Sequence, residues 1–289
     1  MTIYTDLSLR GEAEAIQSIK AKMRKLLNAI FAPIKFIAFI LWIIPNAIFA
    51  LFVPTGSKLG LWHLQFFMRG TMLISGIKVR VHGRLSKERP LLVVGNHISI
   101  FEMVTFPVAL GGSFFAKKEI EGYPLVGWMA KKFGVIYVDR RPSQAVAGIE
   151  KLRKEMARAD YPMFLFPEGT TTSGTYVLPF KSTLFNFMEN GEDVTVQPIV
   201  QFYRYRDGSV IPDQVMADEY AFFDNHKMTQ PPYCKVERSL IGQVFHVFSI
   251  GGFMVEVFIL PPPPLAGMNR KEIATKLHEI ISDKFNELK

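Results

Sequence analysis

His97 and Glu102 stand five positions apart in Gly95-Asn96-His97-Ile98-Ser99-Ile100-Phe101-Glu102, directly after the apolar run Leu91–Val94. On one continuous helix this spacing would leave the two side chains ~140° apart, at ~100° per residue. They meet only if His97 sits on a loop and Glu102 in the first turn of the helix that follows. Glu102 then holds one ring nitrogen and leaves the other free to take a proton, which makes a two-member base for activating a hydroxyl. The same residues admit a second reading, because Ser99-x-x-Glu102 is also the pattern of a capping box.

A second run, Phe164-Leu165-Phe166-Pro167-Glu168-Gly169-Thr170-Thr171-Thr172-Ser173-Gly174, again closes an apolar stretch. A carboxylate, a glycine and four hydroxyl residues at the carboxyl end of a strand form a polar site where α/β sheets place ligands. A plain polar turn has the same composition. The third run joins Phe115-Ala116-Lys117-Lys118-Glu119 to Val135-Ile136-Tyr137-Val138-Asp139-Arg140-Arg141, another strand ending in cations. Arginine suits phosphate because its planar fork binds two oxygens at once; a solvated strand end is the alternative.

The elements that must position these groups are legible from residue 78 onward. Val79–Val81, Leu91–Gly95, Phe114–Lys117, Val135–Asp139, Met163–Phe166, Val194–Phe202 and Met254–Leu260 read as strands, being short and rich in Val, Ile and Phe. Ser143–Ala159 has helical spacing at Val146, Ile149, Leu152 and Met156. Asn269 and Glu272 form a capping box ahead of an amphipathic helix through Ile273, Leu277, Ile281 and Phe285. Tyr220–Gly252 is the least legible stretch, and Leu240–Ile250 suits either the core or lipid. The alternation predicts an α/β fold, a mixed and mostly parallel sheet flanked by helices.

Residues 1–77 read as a separate basic and apolar membrane-anchoring region ahead of a catalytic domain over 78–289. Phe36–Val53 is free of charge for eighteen residues and interrupted by Pro45-Asn46; a span needs ~20. With the basic flank on the cytoplasmic side, a single crossing would carry the domain out of the cytoplasm. We therefore expect Pro45-Asn46 to break the segment into a re-entrant or surface-lying helical pair, a monotopic two-helix anchor. The alternative is a return through Leu59–Ile77, which His63 and Arg69 make costly.

Composition agrees with a membrane setting. The 289 residues include 25 Phe and are 49% hydrophobic, so some apolar surface has to face something other than a core. The net charge of +8 comes with no nucleic-acid-binding motif; it suits an anionic leaflet. A lone cysteine, Cys234, excludes an internal disulfide and a multi-cysteine metal site.

Taken in order, the blocks Asn96-His97-x-Ser99-x-x-Glu102, Lys117 to Val138-Asp139-Arg140, Phe166-Pro167-Glu168-Gly169-Thr170 and Val196-Gln197-Pro198-Ile199 resemble the bacterial 1-acylglycerol-3-phosphate O-acyltransferases and their lysophospholipid acyltransferase relatives. The resemblance covers about residues 75–265. It implies that His97 is the general base and Glu102 its partner. It places Asn96, Ser99, Lys117, Arg140, Glu168, Gly169, Thr170 and Thr171 at the substrate. It implies acyl-CoA or acyl carrier protein as co-substrate, no metal or other cofactor, a lysolipid acceptor, and the cytoplasmic face of the bacterial inner membrane. Two positions depart from the family pattern: Glu102 stands where Asp is usual, and Thr171 where an arginine usually holds phosphate. The resemblance makes 1-acylglycerol-3-phosphate (lysophosphatidic acid), acylated to phosphatidic acid, the expected acceptor; the second departure weakens that expectation and makes lyso-ornithine lipid or another larger-headed lysolipid the alternative.

Two other classes compete. A membrane-anchored hydrolase would need a nucleophile elbow, and the chain has no Gly-x-Ser-x-Gly. A non-catalytic lipid-binding relative would account for Glu102 and Thr171 without chemistry.

Overall fold

Leu91 to Val94 carry no polar side chain towards either face, which suits a strand covered on both sides. In the computed structural model, which describes residues 2–122, 126–138, 153–188, 194–220 and 239–289, this run is the middle strand of a seven-stranded sheet. The strands are β1 (Lys78–His82), β2 (Leu91–Gly95), β3 (Ser113–Lys117), β4 (Ile136–Val138), β5 (Met163–Leu165), β6 (Thr195–Arg204) and β7 (Met254–Ile259). Their order is β1-β7-β6-β2-β5-β3-β4. Neighbours run parallel except β6 and β7, which pair antiparallel with Ile199 opposite Ile259. Each of the seven strands read from the sequence is present, and the sheet is mixed and mostly parallel as expected.

Alternation along β2 sorts the two cores. Leu91 and Val93 pack on one face with Phe101, Phe106, Phe253 and Val247. Leu92 and Val94 pack on the other with Ile273, Leu277, Ile281 and Phe285. The main helices among the described residues are α1 (Thr2–Phe52), α2 (Lys58–Ser75), α3 (Glu102–Leu110), α4 (Val126–Lys132), α5 (Leu240–Ile250) and α6 (Arg270–Leu288). α6 covers the second face. It begins with the capping box read from the sequence: Oδ1 of Asn269 accepts from the N–H groups of Lys271 and Glu272, and Oε2 of Glu272 accepts from that of Asn269. Of the helix expected over 143–159, residues 153–158 are helical and the earlier part lies outside the described residues.

The expected break at Pro45-Asn46 does not occur. α1 is one helix of 51 residues with Pro33 and Pro45 inside it. A proline removes one N–H from the ladder; here Nδ2 of Asn46 donates to the carbonyl of Trp42 at 2.8 Å and adds a donor beside the gap. The chain turns at residues 53–57 and returns as α2 in an antiparallel hairpin. Nε1 of Trp42 donates to the Phe67 carbonyl at 3.0 Å, and His63 pairs with Oδ1 of Asn46 at 3.0 Å. The histidine that argued against a second span thus has one ring nitrogen, Nε2, partnered inside the hairpin. Gly70 makes the close approach possible, since a Cβ there would lie 2.3 Å from the Trp42 ring.

Leu26–Phe52 is 27 residues long with mean hydropathy 2.1, sufficient in length and composition to cross a bilayer, and 6% of its most apolar window is buried within the protein. Lys35 interrupts it, and its Nζ donates to the Phe248 carbonyl near the end of α5, where helix carbonyls lack internal partners. α5 answers the open reading of Leu240–Ile250. It packs on α1 through Phe36–Phe245 and Phe39–Phe248 ring contacts and buries Val247 and Phe248, while Ile241 stays exposed.

Candidate active site

β2 ends at Gly95, so the chain leaves the sheet at Asn96, and His97 lies on the loop before α3. Glu102 is the first residue of α3, with Phe101 as N-cap. This is the loop-then-first-turn arrangement that the five-residue spacing requires. Nδ1 of His97 is 3.3 Å from Oε2 of Glu102, a charge contact whose angle falls short of a linear hydrogen bond. Catalytic hydrogen bonds are commonly long before substrate binds and tighten afterwards. Glu102 is fully buried and the His97 side chain 15% exposed, so the imidazole is the member of the pair that reaches solvent. Its ring stacks on Phe166, centroids 4.5 Å apart, which holds the ring plane.

Glu102 also does the work of a cap. Its Oε1 accepts the N–H groups of Ile98 and Ser99 at 3.1 and 2.9 Å. The reciprocal half of a capping box is missing: Oγ of Ser99 accepts from Phe101 N, and the N-cap residue Phe101 makes no side-chain capping bond. A carboxylate in the first turn also meets the positive end of the helix dipole.

The second run arrives from β5, the strand beside β2, where Val94 pairs with Leu165. Continuing that register sets Glu168 beside His97. Oε1 of Glu168 accepts the backbone N–H of His97 at 2.7 Å and Oε2 that of Leu178 at 2.8 Å. Burial pushes the Glu168 carboxyl up to about 8, against the downward pull of those two hydrogen bonds. Gly169 turns the chain with φ of +71°, a backbone that glycine adopts freely. Thr172 closes the loop onto the first run, with its N–H and hydroxyl both donating to the His97 carbonyl at 2.9 and 3.2 Å.

The structure brings Asn96, His97, Ser99, Glu102, Glu168, Gly169 and Thr171 together, but gives several of them work other than touching substrate. Asn96 is buried, accepting from Gln201 N and donating to Gln201 O. Ser99 is buried against Tyr203. Glu168 holds backbone, and Thr171 is buried while Thr170 is half-buried. Lys117 ends β3 opposite Val138; its side chain and the whole of Arg140 lie outside the described residues.

Two site residues escaped the sequence reading, Gln201 and Tyr203 of β6. Nε2 of Gln201 donates to Oε1 of Glu102 at 2.9 Å and to the Asn96 carbonyl at 2.7 Å. The Tyr203 hydroxyl donates to the same Oε1 at 3.0 Å. The available signal was Gln201 itself, an amide in a strand covered on both faces, which has to find partners.

A family model described as Acyltransferase matches residues 78–201. The lyso-ornithine lipid O-acyltransferase of Rhodobacter capsulatus is 33% identical over 138 residues, 47% of this chain and 49% of that protein. The lyso-ornithine lipid O-acyltransferase of Pseudomonas aeruginosa is 28% identical over 205 residues, 71% of this chain and 70% of that protein. The chain thus spans about half the length of the first relative and more of the second. The crystal structure of the 1-acyl-sn-glycerophosphate (LPA) acyltransferase PlsC from Thermotoga maritima shares the fold, with a TM-score of 0.60, 21% identity, and coverage of 93% of this chain and 97% of that one. The stretch that is similar to the Acyltransferase family model, residues 78–201, is the one that carries the paired His97 and Glu102.

Proposed function

We propose that the chain transfers a fatty acyl group from a thioester, acyl-CoA or acyl carrier protein, to the free hydroxyl of a lysolipid, with His97 as general base. The observation that carries this reading is the 3.3 Å approach of His97 Nδ1 to the fully buried Glu102 carboxylate. That approach favours the proton on Nδ1 and leaves the Nε2 lone pair for the acceptor. Nε2 takes the hydroxyl proton as the acceptor oxygen bonds to the thioester carbonyl carbon. Collapse of the tetrahedral intermediate breaks the C–S bond, and the imidazolium returns its proton to the departing thiolate. Glu102 stabilises the imidazolium between the two transfers. Atoms and charge balance with no cofactor beyond the donor and no covalent enzyme intermediate.

Lyso-ornithine lipid is the acceptor we favour. A threonine stands at 171 where the resembling family carries a phosphate-binding arginine, and Thr171 is buried. The two relatives above bear that acceptor in their names. Lysophosphatidic acid is the second reading, favoured by the remaining motif blocks. Leu26–Phe52 would hold the domain at the membrane that supplies the acceptor, on its cytoplasmic face where the activated donors are.

Purified full-length protein, given lyso-ornithine lipid, lysophosphatidic acid, lysophosphatidylcholine and lysophosphatidylethanolamine with each radiolabelled donor, tests both levels. Lyso-ornithine lipid should turn over fastest, and His97→Ala should lose ~10²–10⁴-fold. Preference for lysophosphatidic acid would overturn the acceptor. Transfer to none of them, or a His97→Ala variant keeping more than about a tenth of the rate, would overturn the reaction.

A further inference from the structure

Oε1 of Glu102 is the most crowded acceptor at the site, taking Ile98 N, Ser99 N, Gln201 Nε2 and the Tyr203 hydroxyl, all within 3.1 Å. Oε2 is left facing Ser99 N at 3.1 Å and His97 Nδ1 at 3.3 Å. The terminal torsion of a glutamate is broad and roughly two-fold, so by itself it does not choose which oxygen faces the histidine. Two of the four donors to Oε1 come from backbone on Glu102's own loop. The other two come from Gln201 and Tyr203, about a hundred residues away. Residues two apart on a strand share a face, so both reach Glu102 from one side of β6.

Donor counting fixes the direction of the bonds around Tyr203. A phenol has one proton, and it goes to Glu102. Tyr203 and Ser99 lie 2.9 Å apart, oxygen to oxygen, so the Ser99 hydroxyl is the donor of that pair. Ser99 Oγ in turn accepts from Phe101 N at 3.1 Å. The result is a one-way chain from Phe101 N–H through Ser99 and Tyr203 to Oε1. Burial, with the charge of Glu102 added, pushes the Tyr203 phenol well above its ordinary value, so it remains a donor.

We infer that Tyr203 and Gln201 are positioning residues for the His97–Glu102 pair: they pin Oε1 so that Oε2 stays aimed at His97 Nδ1 and holds the imidazole in its Nδ1–H form. This inference rests on the reading of that pair as the catalytic base. It also explains how glutamate serves at 102, since the extra torsion of the longer side chain is taken up by two fixed donors from β6.

The test uses full-length Tyr203→Phe in detergent micelles, with Gln201→Met as a second variant carrying the same readouts should the first not fold. Tyr203→Phe should lower kcat about tenfold, the scale of one hydrogen bond to a charged group, with KM changed less than about twofold. Placed on a Glu102→Gln background it should add less than about a further twofold, because the oxygen pair it sorts is no longer a carboxylate. The ring ¹⁵N shifts of neutral His97 give a readout free of turnover: Nδ1–H in the wild type, and a mixture of tautomers in Tyr203→Phe. If the wild type transfers acyl groups while Tyr203→Phe keeps its kcat and its tautomer, the positioning role is overturned. If the wild type transfers nothing but the tautomer still shifts, the proposed reaction falls and the positioning role stands.

Discussion

The backbone N–H of His97 donates to Oε1 of Glu168 at 2.7 Å, so two motifs 71 residues apart in the chain are one site. The contact runs from one parallel strand end to its neighbour, and it gives the second motif a task that its polar composition does not announce. Glu168 fixes the loop on which His97 sits. The Leu178 N–H on its other oxygen and the Thr172 bonds to the His97 carbonyl close the same frame from two further points.

Glu168 should make stability depend on pH in a direction unusual for a carboxylate. Burial raises its native value to about 8 from 4.5, so the native state binds this proton more tightly than the unfolded chain does. The stabilisation from that proton is complete below the unfolded value and is lost as pH rises through about 8. Wild-type melting temperature should therefore fall between pH 6 and pH 9 relative to Glu168→Gln, which has nothing to titrate there. Parallel melting curves at the two pH values would refute the assignment.

The apolar side of α1 is expected to bind lipid. Ile37, Leu41 and Ile44 lie at helical spacing and are half-exposed or more, so their replacement by Asp removes apolar contact without emptying the core. Co-sedimentation with anionic vesicles should drop at least about tenfold, with melting temperature little changed. Unaltered sedimentation would move the anchor elsewhere, with the exposed Ile241 of α5 the next surface to change.

Gly70 permits the close packing of α1 on α2, and the consequence is a stability prediction. A Cβ at this position would meet the Trp42 ring at 2.3 Å, and overpacking of this kind costs ~1–3 kcal/mol. Gly70→Ala should melt several degrees lower, and removing the ring in a Trp42→Leu, Gly70→Ala double variant should recover part of the loss. A Gly70→Ala protein as stable as the wild type would mean that the hairpin is looser than described.

Much of this was legible in the sequence, for identifiable reasons. The strands show because both faces of the sheet are covered, so β2 and β5 are unbroken apolar runs. The capping box at Asn269 and Glu272 shows because it is local. The spacing of His97 and Glu102 permits their pairing once a continuous helix is excluded, and leaves the capping reading open. What escaped depends on contacts far apart in the chain. A carboxylate at a strand end points to a ligand, and its composition says nothing of the N–H groups of His97 and Leu178 that Glu168 also holds. Tyr203 lies one residue beyond the strand end read at Phe202, and nothing in β6 announces a partner on α3. Pro45 misled because the donor that Asn46 adds to the helix ladder, and the reach of His63 to Asn46, belong to the folded hairpin.

The central claim is that the charge on Glu102 supports His97 as a base, and Glu102→Gln addresses it most directly. Glutamine can keep its carbonyl oxygen among the four donors that Oε1 now serves, so the loop and the start of α3 should hold. Its amide would then face His97 Nδ1 as a donor, moving the ring proton to Nε2 and leaving no lone pair for the acceptor hydroxyl. Melting temperature and acyl transfer should be measured on the same preparations, with Glu102→Asp alongside. The account predicts near-wild-type melting for Glu102→Gln with transfer reduced at least tenfold, about 1.4 kcal/mol of transition-state stabilisation, and partial activity in Glu102→Asp. Full activity in a stable Glu102→Gln protein would contradict it and leave Glu102 as a structural cap.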